Sequence, residues 1–190
     1  MRFSKNHTVN EQKDGSFSVF TGKHLSIFKS ALILLFFTAI TFAIYSQTFD
    51  SPFVLDDLRK IEENPHLRVN RLSPAKIVKA GLQSSRARPI AFMTFALNYS
   101  LHQYDVFGYH LLNISIHVLT GFFLYLFLKA TFRIPIVQAR YKHTDLISFF
   151  AALIWLIHPI QTQSVTYIVQ RANSLAALFF MLSILFYACG

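Results

Sequence analysis

Charge is what this chain has least of. Only 14% of its 190 residues are Asp, Glu, Lys or Arg, and nine acids stand against 18 bases. Four stretches carry none of these residues: Ser30–Phe49, Phe107–Leu128, Leu146–Val169 and Ala172–Gly190. A soluble domain of this size has no need of such runs. Each is close to the roughly 20 residues that cross a hydrocarbon core of about 30 Å at 1.5 Å per residue. The chain therefore reads as an all-α, polytopic membrane protein. Cysteine is almost absent as well. With Cys189 alone there is no intramolecular disulfide, and cysteine usage says nothing of redox compartment. No β alternation, glycine-rich phosphate loop or internal repeat is present. The first apolar run begins far from Met1, is longer than a signal-peptide core and lacks an A-x-A-like end, so it reads as a retained span.

The net charge of +9 does not call for nucleic acid. Its bases lie in the tail and loops of a membrane chain, where phosphate headgroups and topology account for them. Arg2, Lys5, Lys13, Lys23 and Lys29 precede the first run, and Lys129, Arg133, Arg140 and Lys142 lie between the second and third. Both segments are expected on the cytoplasmic side by the positive-inside rule. Residues 1–24 read as a polar, disordered cytoplasmic tail and 25–190 as the membrane domain. The loop from about 50 to 106 is then external. It holds eight bases of its own, which runs against this orientation, although long loops translocate largely regardless of charge.

Within that loop, Ser73-Pro74 reads as a cap followed by proline at the first helical position. A short amphipathic helix, 74–82, follows, with Ile77 and Val78 expected inside and Lys76 and Lys79 toward water or headgroups. Arg88-Pro89 opens a second piece, 89–101, too short to span; it lies along the interface or packs into the bundle. Glu62-Glu63-Asn64-Pro65 ends any helix begun at Leu58. Asp145 is the expected N-cap of the third span, and Asn173 or Ser174 that of the fourth.

Asp56-Asp57 lies just beyond the first span, where a tethered acid can reach a lipid-borne substrate. A desolvated carboxylate there has a raised pKa and suits a general base; the alternative is an acid favouring a helix N-terminus. His158-Pro159 interrupts the third run, and Arg171 sits between two apolar runs. An Arg at membrane depth costs about 2.5–3.5 kcal/mol on insertion scales, so it faces a partner or cavity. It either forks onto a lipid phosphate or anchors a turn at the interface. His110 and His117 share a helix face. Without a third ligand nearby they read as buried neutral histidines, and a divalent metal finds no support in the spacing.

Phe53-Val-Leu-Asp-Asp57 with Asn64-Pro65, Arg88-Pro-Ile-Ala-Phe-Met-Thr-Phe-Ala-Leu-Asn-Tyr99, Gly108-Tyr-His-Leu-Leu-Asn113 with His117, and His158-Pro-Ile-Gln-Thr-Gln-Ser-Val-Thr-Tyr-Ile-Val-Gln-Arg171 with Ser174-Leu-Ala-Ala-Leu178 occur in that order. Together they resemble the membrane glycosyltransferases of the GT-C type joined to tetratricopeptide repeats, which include the transmembrane-and-TPR O-mannosyltransferases and their bacterial relatives. The resemblance runs from about Ser30 to the end of the chain. It implies the N-terminal part of a GT-C-like helical bundle, with about four spans and one external loop containing short helices.

It also implies an inverting transferase that takes a sugar, such as mannose, from a polyprenyl- or dolichyl-phosphate donor to a protein or glycan hydroxyl. The site would be the periplasmic face of a bacterial inner membrane, or a lumenal one. The acidic motif supplies the base, which carries over to Asp56 with Asp57 beside it. Arg88, Arg171 and His158 are the candidates at the donor phosphate, with His110 and Gln163 as further candidates. Gln163 stands where many relatives have Glu, so an acid-dependent role there is in doubt. No cofactor is implied. Relatives carry more spans and repeats, so the sequence reads as a fragment. A non-catalytic membrane scaffold or assembly partner is the alternative function.

Overall fold

The computed structural model describes the backbone of residues 14–189 and the side chains of 27–188. It is helical, with no strand among the described residues. The helices, in order, are α1 (Asp14–Ile44), α2 (Pro74–Ser84), α3 (Pro89–His102), α4 (Val106–Phe132), α5 (Pro135–Arg140), α6 (Thr144–Ile157), α7 (Thr162–Thr166) and α8 (Arg171–Cys189). Of the expected disordered tail, residues 1–13 lie outside the described residues, and the backbone is already helical from Asp14. The chain divides into two compact units. Met1–Phe36 takes in the first part of α1, and Phe37–Gly190 holds the rest.

Among the described residues, three helices are long and apolar enough to cross a membrane: Ile27–Ile44, Val106–Phe132 and Ile168–Ala188. A fourth span is made if Thr144–Ile157 and Pro159–Thr166, bent by 49°, are taken together. The bend has a local cause. Proline disfavours helix in the residue before it, and His158 is extended at ψ 132°. Its Nδ1 then accepts the Ile160 N–H at 3.2 Å and caps the turn that restarts the chain. Large apolar side chains on the outer faces, among them Phe150, Ile154, Phe179, Phe180 and Phe186, are exposed. That is the surface a bilayer solvates.

In the second unit α4 is the central helix, packing mainly on α8 and α6, while α2 lies on α3. Two glycines permit these approaches. A Cβ at Gly121 would come within 2.7 Å of Leu156 Cδ1 on α6, and one at Gly81 within 2.7 Å of the Pro89 carbonyl at the start of α3. Asp105 caps α4 by accepting the Phe107 N–H at 3.1 Å.

Several local expectations need correction. In α2, Ala80 and Gly81 are buried and Ile77 is half-buried, but Val78 is exposed. The small residues, not the branched pair, make the close face against α3. Helix α6 is entered through His143 in the left-handed region (φ 57°), so Asp145 lies in its first turn and is not its cap. Helix α8 begins at Arg171, directly after a 3-10 turn at Ile168–Gln170, which leaves Asn173 and Ser174 inside it. The first apolar run stops being α-helical at Ile44 and turns through Ser46–Asp50.

Candidate functional site

Residues 51–57 form a turn that separates the two acids. Leu55 has φ 50°, strained for a branched side chain, and is 80% exposed. The strain is held from both sides. The Asp57 N–H donates to the Val54 carbonyl at 2.9 Å, and the Asp56 N–H donates to the Tyr167 hydroxyl at 2.9 Å. At the entrance to the turn, buried His110 places Nε2 2.9 Å from the Ser51 carbonyl. That contact assigns the ring proton to Nε2.

The two carboxylates have different environments. Asp57 is 1% exposed, and it accepts the Val169 N–H at 2.7 Å and the Val54 N–H at 3.4 Å. Burial pushes its pKa up, against the pull of those backbone donors. Asp56 is half-exposed and pairs with Lys60 one turn on, and that hydrogen bond and charge hold its pKa below the ordinary carboxylate range. The expected desolvated acid is thus Asp57, while Asp56 is the one that faces solvent.

Arg171 is 0% exposed. Its Nε donates to Asn113 Oδ1 at 2.7 Å, one terminal nitrogen to Asn98 Oδ1 at 2.6 Å and Thr94 Oγ1 at 3.2 Å, and the other to the Tyr109 carbonyl at 2.9 Å. The guanidinium also lies 4.4 Å from the Phe95 ring centre. Asn113 uses its amide in both directions, donating to the Val165 and Ile168 carbonyls at 3.3 and 3.4 Å. Asn98 likewise donates to the Gly108 carbonyl at 3.1 Å. Irregular backbone at 165–170 would leave carbonyls unpaired in a low-dielectric setting, and these side chains satisfy them. Asp57 closes the same assembly from the loop side through Val169, near enough to act on the Arg171 charge.

The sequence reading offers Arg171 to a donor phosphate or to an interfacial turn. The structure shows its fork engaged by α3 and α4. The other candidates lie apart from this assembly. Arg88 is exposed at the start of α3 and pairs with no acid among the described residues. His158 and Gln163 are exposed near the bend. His117 is buried, with Nε2 2.8 Å from the Leu156 carbonyl of α6. No group of three or more His, Cys, Asp or Glu among the described residues is placed to hold a metal ion.

Asn98, Asn113, Thr94 and Tyr167 were not singled out by residue chemistry, though each lies inside a quoted motif. Thr94 and Asn98, four apart in the apolar part of α3, carried the available signal, since polar groups on such a helix face need a buried partner.

Known proteins settle the kinship. Mouse protein O-mannosyl-transferase TMTC2 is 31% identical over 160 residues, covering 79% of this chain and 18% of its own length. The chain is homologous to a segment of the protein O-mannosyl-transferases. This is the family its motifs resemble. Tmtc3 of Drosophila melanogaster is 29% identical over 158 residues (71% of this chain, 16% of the relative), and human TMTC4 is 30% identical over 165 (78% and 22%). The chain thus spans about a fifth of the length of these curated relatives. No family model and no solved structure matches it.

Proposed function

We propose that this protein takes part in membrane glycosyl transfer, moving a mannosyl or similar unit from a polyprenyl- or dolichyl-phosphate donor to a protein hydroxyl. The reading rests on one observation above all: of the two adjacent acids, one is locked into the fold and the other is presented to solvent on a strained turn. Lys60 holds the Asp56 carboxylate in its charged form, the form that accepts a proton, and Asp56 acts as the base once Lys60 moves aside. The acceptor O–H proton passes to the Asp56 carboxylate and the oxygen attacks the anomeric carbon. The bond from that carbon to the phosphate oxygen breaks, and the lipid phosphate leaves with the electron pair. Phosphate is a good enough leaving group that no second carboxylic acid is required, unlike glycoside hydrolysis. Exposed Arg88 is the cation proposed for the departing phosphate. Arg171 and Asp57 act at one remove, by holding the turn against the irregular segment 165–170.

The turn is assigned to the external face, periplasmic in a bacterial inner membrane or lumenal elsewhere, with the N-terminal residues and the α4–α6 connection opposite. In a Cys189→Ser background, an impermeant thiol reagent should label Glu63→Cys and leave Gln138→Cys untouched in sealed membranes; the reverse pattern rejects the assignment. For the chemistry, Asp56→Asn in matched membranes should lower sugar transfer about 10²-fold or more, the usual scale for loss of a general base. Transfer at the parent rate would reject the base and leave a non-catalytic assembly role.

A further inference from the structure

The external loop holds eight bases, Arg59, Lys60, Arg68, Arg71, Lys76, Lys79, Arg86 and Arg88. Only Lys60 forms an ion pair among the described residues. Glycosyl transfer as proposed uses two of the eight, Lys60 and Arg88. Most of the rest converge. His66, Arg68, Arg71, Lys76 and Lys79 line a pocket of about 470 Å³ between the turn at Pro65–Leu67 and α2. A second hollow shares His66 and Gln83 with it and adds Arg86 and Leu82. No acid lines either one.

Arg68 is held there without being neutralised. Its Nε donates to the Tyr104 hydroxyl at 2.9 Å and a terminal nitrogen to the Glu62 carbonyl at 3.3 Å, while Tyr104 itself donates to the same carbonyl at 2.8 Å. Both acceptors are neutral oxygens, so the site carries a positioned, uncompensated positive charge. A cluster of bases costs self-repulsion unless an anion is supplied.

The outer surface of α2 indicates which anion. Ala80 and Gly81 seat the helix on α3. At about 100° per residue, Val78 and Leu82 form one exposed stripe, Lys79 borders it next to Leu82, and Gln83 and Lys76 lie farther round, on the face that lines the pocket. Val78 and Leu82 are 45% and 52% exposed, and Leu72 beside the helix start is exposed too. Free phosphate would need the cations alone. An apolar stripe beside a cationic edge suits a lipid, with acyl chains against Val78 and Leu82 and the headgroup at the bases.

We propose that this pocket binds the phosphodiester headgroup of an anionic phospholipid, as a site separate from glycosyl transfer. The bound lipid holds the external loop at the membrane face and explains why a loop assigned to the outside carries so many bases. Arg68 supplies a fixed two-pronged donor, and Lys76 and Lys79 supply mobile charges at the rim.

The chain, purified in neutral detergent, is offered equal amounts of phosphatidylglycerol and phosphatidylcholine, and the retained lipid is counted by native mass spectrometry. The parent should retain phosphatidylglycerol selectively. Lys76→Gln/Lys79→Gln should reduce that selectivity roughly tenfold or more, since each base near an anionic surface contributes on the order of a fivefold preference. Arg140→Gln/Lys142→Gln removes the same charge elsewhere and should leave selectivity intact. Both lysines in the first variant are exposed and unpaired, so its melting temperature should match the parent's. Equal selectivity in the parent and the Lys76/Lys79 variant overturns the proposal, as does equal loss in the two variants. Displacement of the lipid by inorganic phosphate at the same concentration would make this a free-anion site. Competitive displacement by polyprenyl phosphate would make it the donor's site and overturn the separation.

Discussion

Asp56 and Asp57 are neighbours in sequence and belong to different parts of the molecule. Asp57 joins a buried polar assembly with Val169, Arg171, Asn113 and Asn98, in which nearly every donor has a partner. Asp56 and Leu55 form an outer rim open to solvent on the same turn, with the Lys60 ion pair to restrain the carboxylate. The buried assembly spends its polarity on satisfying irregular backbone. The rim leaves its carboxylate facing solvent. A doublet of like charges can thus serve two purposes, because one step along a tight turn moves a side chain from the interior to water.

The contrast breaks most visibly at Arg171. Arg171→Met removes the donor shared by Asn113 Oδ1, Asn98 Oδ1 and the Tyr109 carbonyl, each of which stays buried. At about 1–3 kcal/mol per buried group left unpaired, and with partial relaxation, the loss is about 3 kcal/mol or more. The denaturation midpoint in detergent should fall accordingly, and Arg171→Lys should restore only part of it because the planar fork is gone. A midpoint unchanged in Arg171→Met would show that the assembly does not support the fold.

A smaller effect is expected from Asp57→Ala, which takes the acceptor from the Val169 N–H for about 1–3 kcal/mol, while the Val54 N–H on the exposed turn pairs with water. Asp56→Ala should leave the midpoint where it is. If both variants melted alike, the distinction between assembly and rim would fail.

Lys60→Met is the mildest change. The sign follows from Lys60 stabilising the charged form of Asp56. Its loss raises the Asp56 pKa toward the ordinary range, so the acid limb of the transfer rate moves to higher pH while the neutral-pH rate changes little. An acid limb that stays put would mean another group sets it.

Much of this architecture was legible in the sequence. The apolar runs locate the spans, and Pro74, Pro89, Asn64-Pro65 and His158-Pro159 mark breaks that the backbone takes, since proline constrains its own φ and the residue before it. Helix starts were less legible. His143 in the left-handed region and the 3-10 turn feeding α8 carry no cap signature, so Asp145 and Asn173 drew attention that belonged elsewhere. The division of the acid pair was not legible at all. It depends on Leu55 at positive φ and on an amide 112 positions away at Val169. Neither leaves a periodic trace. Arg171 showed as costly at membrane depth, but its partners sit on two other helices, and spacing within one helix cannot disclose them.

The most direct test is amide hydrogen exchange at Val169 in the parent, Asp57→Ala and Asp56→Ala chains, in one detergent and at one pH. With Asp57 as the acceptor, Val169 should be protected in the parent and equally in Asp56→Ala, and should exchange fast in Asp57→Ala. Equal protection in all three, or loss of protection in Asp56→Ala, would contradict the division of the acid pair on which the account stands.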